Sequence, residues 1–167
     1  AEEIDIEGRF PHETFDKMVK CGYTGIGVPE EYGGSGGDDI TKVIVVSEIA
    51  KKCAATAAIL SIHAVFVQTI LKFGTEEQKK KYLPLVTSGG KKTAFALTEP
   101  NAGSDAAAVK TVAVEDGDDY IINGTKCFIT GGSVADYIVL FASTDPSKGV
   151  KGLSAFIISK DTPGFSV

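Results

Sequence analysis

The chain has 167 residues, of which 43% are hydrophobic and 23% charged, so a disordered or fibrous protein is excluded and a packed core is expected. The net charge of -5 argues against a nucleic-acid partner, because binding phosphates requires clustered cations. Three widely spaced cysteines and two distant histidines predict a reducing compartment and no metal site.

The first predicted helix lies near the amino terminus. Its apolar positions Phe15, Met18 and Val19 recur at helical spacing, and Gly22 offers a stop. The glycine-rich sequence GGSGG at positions 33–37 lacks the Gly-Lys-Ser/Thr ending of a phosphate-binding loop. We therefore interpret it as a turn.

Two longer helices are predicted next. An apolar stripe runs from Ile40 to about Lys52, and Asp38 or Asp39 is placed to cap its start. The run from Ala54 to Phe73 is long enough to span a membrane, but its several polar residues favour a buried helix of a helical domain and no membrane span. Gly74 is expected to end this helix as a left-handed cap.

A capping box begins the last predicted helix. Thr75 and Gln78 have its spacing, and the helix is expected to run through Tyr82 and stop at Pro84 or shortly after. The sequence therefore predicts an all-α domain over residues 1–92.

Strand-like sequence fills the second predicted domain, residues 93–167. Asn123-Gly124 predicts a type I′ turn within a hairpin over residues 118–130. Because short loops and no helices separate the strands, we expect an antiparallel meander or the start of a small barrel, and an α+β fold for the whole chain. The sheet would stop with an unpaired edge, which predicts a covering segment or an incomplete domain. The remaining strands are predicted at 93–97, 111–115, 137–142 and 152–159.

Two strand ends carry candidate ligand-binding residues. Phe95 and Leu97 share one face of a strand that ends at Thr98, and alternation along Lys126–Thr130 places Lys126, Phe128 and Thr130 on one face. Apolar rings beside hydroxyls suit a flat heterocycle, and the loop at 101–104 offers amides and a hydroxyl to a phosphate. An ordinary turn is the alternative.

These motifs resemble the acyl-CoA dehydrogenase family, and most closely its short-chain (butyryl-CoA) branch. The resemblance covers essentially the whole chain, and five motifs occur in the family's order and at its spacing. They are GVPEEYGGSGGD, ILKFGTEEQKKKYL, FALTEPNAGSD, INGTKCFIT and TPGF. The resemblance implies a helical amino-terminal domain without its first helix and a truncated middle β-domain. It also implies that the family's carboxy-terminal helical domain is absent from this chain.

The resemblance further implies an FAD site. Thr98 and Thr130 would bond to the polar edge of the isoalloxazine, and Phe128, where many relatives have Trp, would pack on the ring. Ser104 would lie near the pyrophosphate and the pantetheine arm of the substrate, and the helix at 54–73 would help form the acyl-chain cavity. The implied cofactor-binding residues are Phe95, Leu97, Thr98, Gly103, Ser104, Phe128, Ile129 and Thr130.

The implied reaction is dehydrogenation of a short-chain acyl-CoA to a trans-2-enoyl-CoA. Electrons would pass to an electron-transfer flavoprotein, and the full protein would be a homotetramer of the bacterial cytoplasm or the mitochondrial matrix. The family's catalytic base is a glutamate of the third domain, and Glu99 does not replace it, so the isolated chain is expected to be inactive. An acyl-CoA oxidase, an enoyl-CoA reductase and a non-catalytic flavin- or CoA-binding module are the alternatives.

Overall fold

The computed structural model describes all 167 residues and divides them into two compact units, Ala1–Thr93 and Ala94–Val167. The first unit contains the helices and the second contains nearly all of the sheet. The helices are α1 (Glu2–Glu7), α2 (His12–Lys20), α3 (Asp39–Ala50), α4 (Ala54–Phe73) and α5 (Glu76–Thr87). The strands are β1 (Thr93–Ala96), β2 (Val112–Asp116), β3 (Asp119–Asn123), β4 (Tyr137–Ser143) and β5 (Leu153–Ser159).

The core of the helical unit forms around α4. Phe15 and Met18 of α2 pack with Leu60 of α4, which confirms the helical periodicity read near the amino terminus. By length and composition α4 is the one helix that meets the criteria for a membrane span. Seven of its residues are buried within the protein, as in the predicted core helix. The six-residue α1, which has no buried residue, was not predicted.

Side-chain caps fix where two of the helices begin. The Asp38 carboxylate accepts a hydrogen bond from the Thr41 amide at 2.8 Å, and Thr75 and Gln78 form the predicted capping box. The predicted left-handed cap is wrong, because Gly74 has φ -74° and ψ 151°. Glycine is needed there for space, since a Cβ atom would lie 2.6 Å from the Ile70 carbonyl oxygen.

Helix α5 ends shortly after Pro84, as predicted. It continues through Pro84 to Thr87. A proline inside a helix removes one backbone hydrogen bond, but the turn beyond it buries Val86 and Thr87. The Thr87 hydroxyl also lies 2.9 Å from the Leu83 carbonyl oxygen. Packing of this last turn offsets the lost bond.

The glycine-rich loop forms the predicted turn by bonding to itself. The Gly27 amide donates to the Gly36 carbonyl at 2.7 Å, and the Gly36 amide donates to the Val28 carbonyl at 3.0 Å. A Cβ atom on Gly34 would lie 2.1 Å from the Val28 carbonyl oxygen. The glycines therefore permit close backbone packing.

The sheet is mixed, because β2 and β4 meet in parallel, so the prediction of an antiparallel sheet is wrong at this contact. Strands β2 and β3 form one antiparallel pair and β4 and β5 another. Strand β4 also neighbours β1 and meets β2 in parallel, with Val112 opposite Ser143. The parallel contact arises because residues 124–136 form no strand and carry the chain back before β4 begins.

The predicted Asn123-Gly124 turn is also wrong. The β2–β3 hairpin turns at Gly117-Asp118, where Gly117 has φ 64°. Gly124 instead packs closely on Thr111, whose Oγ1 atom would lie 2.2 Å from a Cβ atom at position 124. The strong turn signal of Asn-Gly here reflects a need for space.

Candidate functional site

The candidate site begins at the end of β1. Ala94 and Ala96 are buried in a core cluster with Ala135 and Ile138. Phe95 lies half-buried, with its ring 5.1 Å from that of Phe141. The strand ends at Ala96, one residue earlier than predicted.

The two motifs that were predicted to share a site do meet. The Cys127 amide donates to the Thr98 carbonyl oxygen at 3.0 Å. The Lys126 ammonium donates to the Leu97 carbonyl oxygen at 3.1 Å. Half-buried Leu97 and Thr98 therefore lie directly against the segment that leads to Phe128.

The second motif is not a strand, which corrects the predicted alternation. Phe128 has φ 57° and is 93% exposed, whereas the Lys126 side chain is only 8% exposed. The two side chains therefore do not share a face. Ile129 packs against the core cluster and Thr130 is exposed.

Phe128 is the one non-glycine residue of the chain with a positive φ. The left-handed conformation costs an L-residue about 1–2 kcal/mol. Nearly full exposure of an aromatic ring adds to that cost. A strained backbone that presents an apolar ring to solvent is typical of a ligand-binding position.

Glu99 forms the centre of a buried hydrogen-bond network next to this position. Its Oε1 atom lies 2.8 Å from Lys126 Nζ and accepts from the amide of Thr111 at 3.0 Å. The Thr111 hydroxyl donates to the same oxygen, and the Lys110 amide donates to Oε2 at 2.7 Å. Both carboxylate oxygens are thus occupied.

The network keeps the Glu99 carboxylate ionised. Burial alone would raise its pKa, but the hydrogen bonds from Lys126, Thr111 and the two backbone amides outweigh burial and lower the pKa to about 2. Glu99 is 5% exposed. A carboxylate so buried and so fully bonded has no free oxygen with which to accept a proton.

The loop after Glu99 presents the remaining predicted residues. Gly103 and Ser104 are both exposed, and nothing lies within 4 Å of the Cβ position of Gly103. Asn101 Nδ2 donates to the Ala108 carbonyl at 3.0 Å, which closes the loop. The structure shows no contact that joins Ser104 to Phe128 or Thr130, so their sharing of one ligand stays a prediction.

Sequence reasoning missed Thr111 as part of this site and did not pair Lys126 with Glu99. Lys126 is separated from Glu99 by 27 positions. The sequence did contain one signal for this pairing, because Glu99 and Lys126 are charged residues next to apolar segments. Position along the chain gave no indication that the two charges pair.

The helical unit contains a separate groove of about 520 Å³ between α3 and α4. It lies along the helix for which an acyl-chain cavity was predicted. Most of the surface that lines it is apolar, from residues such as Val43, Val46, Val65 and Phe73. Hydroxyl groups, one amide and the side chains of Lys42 and Lys72 also line it.

Both units match known protein domains. Residues 1–90 match the family described as acyl-CoA dehydrogenase, N-terminal domain, and residues 94–167 match acyl-CoA dehydrogenase, middle domain. Among curated relatives, the acryloyl-CoA reductase (NADH) of Anaerotignum propionicum is 60% identical over the whole chain, which spans 43% of that protein. The short-chain-specific acyl-CoA dehydrogenase of Clostridium acetobutylicum is 52% identical over the whole chain, which spans 44% of it.

Solved structures agree with these matches. Butyryl-CoA dehydrogenase from Megasphaera elsdenii superposes with a TM-score of 0.93 and 43% identity, over 98% of this chain and 44% of that one. A structure from work on the electron transferring flavoprotein of Acidaminococcus fermentans gives a TM-score of 0.95 and 48% identity, over 99% and 44%. The chain thus spans less than half the length of the relatives it matches.

The helical unit and the mixed sheet define the class of the chain, which has the architecture of paired N-terminal helical and middle β-domains seen in the solved relatives. Within that class the matches over both units identify the family. The chain belongs to the acyl-CoA dehydrogenase family.

Proposed function

We propose that this chain contributes the flavin-seating part of an enzyme that acts on the Cα–Cβ bond of short-chain acyl-CoA thioesters. The observation that carries the proposal is the meeting of the two motifs, where the Cys127 amide bonds to the Thr98 carbonyl beside the exposed ring of Phe128. The family membership of the chain supports it.

The residues present fit FAD. An exposed ring held on a strained backbone is suited to pack on a flat heterocycle, and the hydroxyls of Thr98 and Thr130 are suited to its polar edge. Ser104, on the exposed loop with Gly103, is the proposed contact to the pyrophosphate and to the substrate. When bound, the flavin supplies hydride transfer. Phe95 and Ile129 support the site from within the fold, since both pack on other apolar groups.

We propose that a group outside these 167 residues transfers the proton. Glu99 has both oxygens occupied, so the chain's most conspicuous buried carboxylate cannot take a substrate proton. We therefore assign the chain the tasks of binding and orienting, and assign the base to another segment of the full protein. The groove between α3 and α4 is the proposed surface for the acyl chain, because its lining is mainly apolar.

For the direction of the reaction, we propose dehydrogenation of a short-chain acyl-CoA to the trans-2-enoyl-CoA, with an electron-transfer flavoprotein as acceptor. The similarity to short-chain and butyryl-CoA dehydrogenases supports it. We further propose a homotetramer of the bacterial cytoplasm or the mitochondrial matrix.

The second candidate is reduction of a short 2-enoyl-CoA. It is favoured by the 60% identity to a reductase, which exceeds the identity to the short-chain dehydrogenase. The same flavin seat serves both directions, so the residues of this chain do not discriminate between them.

Steady-state assays of the full-length protein separate the candidates. We expect butyryl-CoA to be oxidised when an electron-transfer flavoprotein or a dye is the acceptor, with no rapid peroxide formation. Reduction of acryloyl-CoA by NADH with no butyryl-CoA oxidation would favour the reductase. Rapid peroxide formation would identify an oxidase, and a purified protein that binds no flavin would refute the proposal.

A further inference from the structure

The buried ion pair of Glu99 and Lys126 lies between the two motifs of the proposed flavin seat. Glu99 directly follows Thr98, and Lys126 is two positions before Phe128. Exposure of the side chains is 3% for Glu99 and 8% for Lys126. Thr98 and Phe128, the residues proposed to contact the flavin ring, are therefore one and two positions from Glu99 and Lys126.

The pair joins three stretches of chain that are distant in sequence. Lys126 Nζ contacts Glu99 Oε1 at 2.8 Å and the Leu97 carbonyl at 3.1 Å, so one ammonium group bonds both to the carboxylate and to the backbone of the first motif. The same carboxylate accepts the amides of Lys110 and Thr111. The ends of the two motifs and the start of β2 are fixed on one another.

A buried ion pair is a costly way to obtain stability alone. Removing two charges from water carries a desolvation penalty, and apolar replacements of similar volume are often as stable. An ion pair with directional hydrogen bonds does fix the relative position of backbones, which an apolar contact does more loosely. This points to a positional role for the pair.

Close packing around the pair supports the same role. Gly124 leaves space for Thr111, whose hydroxyl donates to Glu99. The Thr111 carbonyl in turn accepts from the Ser143 amide at 2.8 Å, which ties the network to β4. The network is continuous from the sheet to the segment that holds Phe128.

We propose that Glu99 and Lys126 are positioning residues that set the distance between the Thr98 and Phe128 segments and so determine how tightly the flavin ring is held. The inference rests on the proposed function. Neither residue touches the ring in this assignment, because the carboxylate and the ammonium group are both engaged with each other and with the chain.

The test compares variants of the full-length protein. Lys126→Met leaves a buried carboxylate without its cation, whereas the double variant Glu99→Gln, Lys126→Met leaves no buried charge. Positioning predicts that the double variant retains a melting temperature near that of the parent but binds FAD at least tenfold more weakly, with an altered flavin absorption spectrum. In the flavin-free protein, hydrogen exchange of the Cys127 amide should accelerate, because its bond to the Thr98 carbonyl loosens.

Two further variants make the experiment decisive. Lys148→Met removes the cation of an exposed pair with Asp145 and should change none of these readouts. Thr111→Val removes one donor and no charge, and it should weaken FAD binding by a smaller factor in the same direction. If the double variant does not fold, the FAD affinity, flavin spectrum and Cys127 exchange of Thr111→Val test the positioning role instead.

Parent-like FAD affinity, spectrum and Cys127 exchange in a folded double variant would overturn the positioning role, and so would parent-like values in Thr111→Val where the double variant is unfolded. These outcomes differ from failure of the proposed function. In that case the parent protein itself would bind no FAD.

Discussion

Phe128 combines an exposed aromatic ring with a backbone conformation that glycine adopts more readily. Its φ of 57° and its 93% exposure are both unfavourable in the free chain. A bound ring that packs on Phe128 would offset the cost of exposure, although not the backbone strain. Phe128 thus lowers the stability of the flavin-free protein while it favours ligand binding.

Replacing Phe128 by glycine should stabilise the flavin-free protein and weaken flavin binding. Relief of the left-handed strain, less the entropy that glycine loses on folding, should raise the free energy of unfolding by about 0.5–1 kcal/mol. Loss of the aromatic contact should weaken FAD binding by about tenfold. Urea unfolding and flavin fluorescence titration measure the two effects.

Phe128→Ala is the matched control for this prediction. Alanine removes the ring but keeps the strain, so it should weaken FAD binding without the gain in stability. Equal unfolding free energies for the glycine and alanine variants would contradict the strain argument.

His63 is a buried histidine whose two ring nitrogens are both bonded. Nε2 lies 3.0 Å from the Val86 carbonyl oxygen, so it carries the proton, and Nδ1 lies 2.9 Å from the Thr93 hydroxyl. Burial lowers its pKa to about 4, and the bond to Val86 offsets this only in part. The neutral ring is therefore a structural part of the helical unit.

The helical unit should lose stability as the pH falls from about 6.5 to about 4. The unfolded chain binds a proton on His63 near pH 6.5, while the folded chain resists it until about pH 4, so the stabilisation is complete above pH 6.5. The full loss is about 3 kcal/mol, since each unit of pKa difference corresponds to about 1.4 kcal/mol. Urea unfolding followed by circular dichroism at several pH values measures it.

His63→Gln provides the control, because glutamine does not titrate. This variant should be less stable at neutral pH and should show a flatter dependence between pH 7 and 5. Glu99 does not confound that window, since its pKa is lowered from 4.5 to about 2 and its contribution is lost only below about pH 4.5. A parent protein whose stability is constant from pH 7 to 5 would refute the assignment.

At the scale of elements, the segment between β3 and β4 shows how space can matter more than turn chemistry. A Cβ atom on Gly124 would lie 2.2 Å from Thr111 Oγ1 and 2.6 Å from Thr111 Cβ. Both distances are shorter than real Cβ contacts, so an added Cβ atom would force neighbouring atoms to move. The segment and the start of β2 therefore need a glycine at this contact.

Gly124→Ala should destabilise the β unit by about 2 kcal/mol, the usual range for an overpacked contact being about 1–3 kcal/mol. Thermal unfolding measures the effect. Gly103→Ala is the matched control in the same unit, because nothing lies within 4 Å of its Cβ position and its φ is not positive. Its stability should change by less than about 0.5 kcal/mol. Equal changes in the two variants would contradict the packing argument.

Elements governed by local periodicity were predictable from the sequence. Helix α2 follows apolar spacing and α4 follows from a long apolar run, and the capping box of Thr75 and Gln78 depends only on neighbours in sequence. The exact end of α5, three residues after Pro84, was not predictable, because it depends on packing of the turn beyond the proline. The segment after Gly124 was misread because its contact with Thr111 is a tertiary one.

The candidate site was predictable in part. The meeting of the two motifs followed from the resemblance, and the bond between Cys127 and Thr98 confirms it. The positive φ of Phe128 and the pairing of Glu99 with Lys126 were not predictable, because both depend on how distant segments pack. Alternation rules apply only to regular strands.

At the scale of the whole molecule, binding and proton transfer fall in different parts of the protein under the proposed function. The chain spans 43% and 44% of the two curated relatives. Under that proposal, the residues that hold the flavin lie within it. Its buried carboxylate at Glu99 is committed to four hydrogen bonds and is not available as a base.

The isolated 167-residue polypeptide should therefore not turn over butyryl-CoA, even where FAD is supplied. General-base catalysis contributes about 10²–10⁴-fold to an enzymatic rate, and the buried carboxylate of this chain, Glu99, has both oxygens engaged in hydrogen bonds. Dye-coupled turnover of the polypeptide, with the full-length protein as positive control, measures the difference. Butyryl-CoA oxidation by the polypeptide at a rate comparable to that of the full-length protein would show that a residue of this chain acts as the base, and would refute the assignment of that role to another segment.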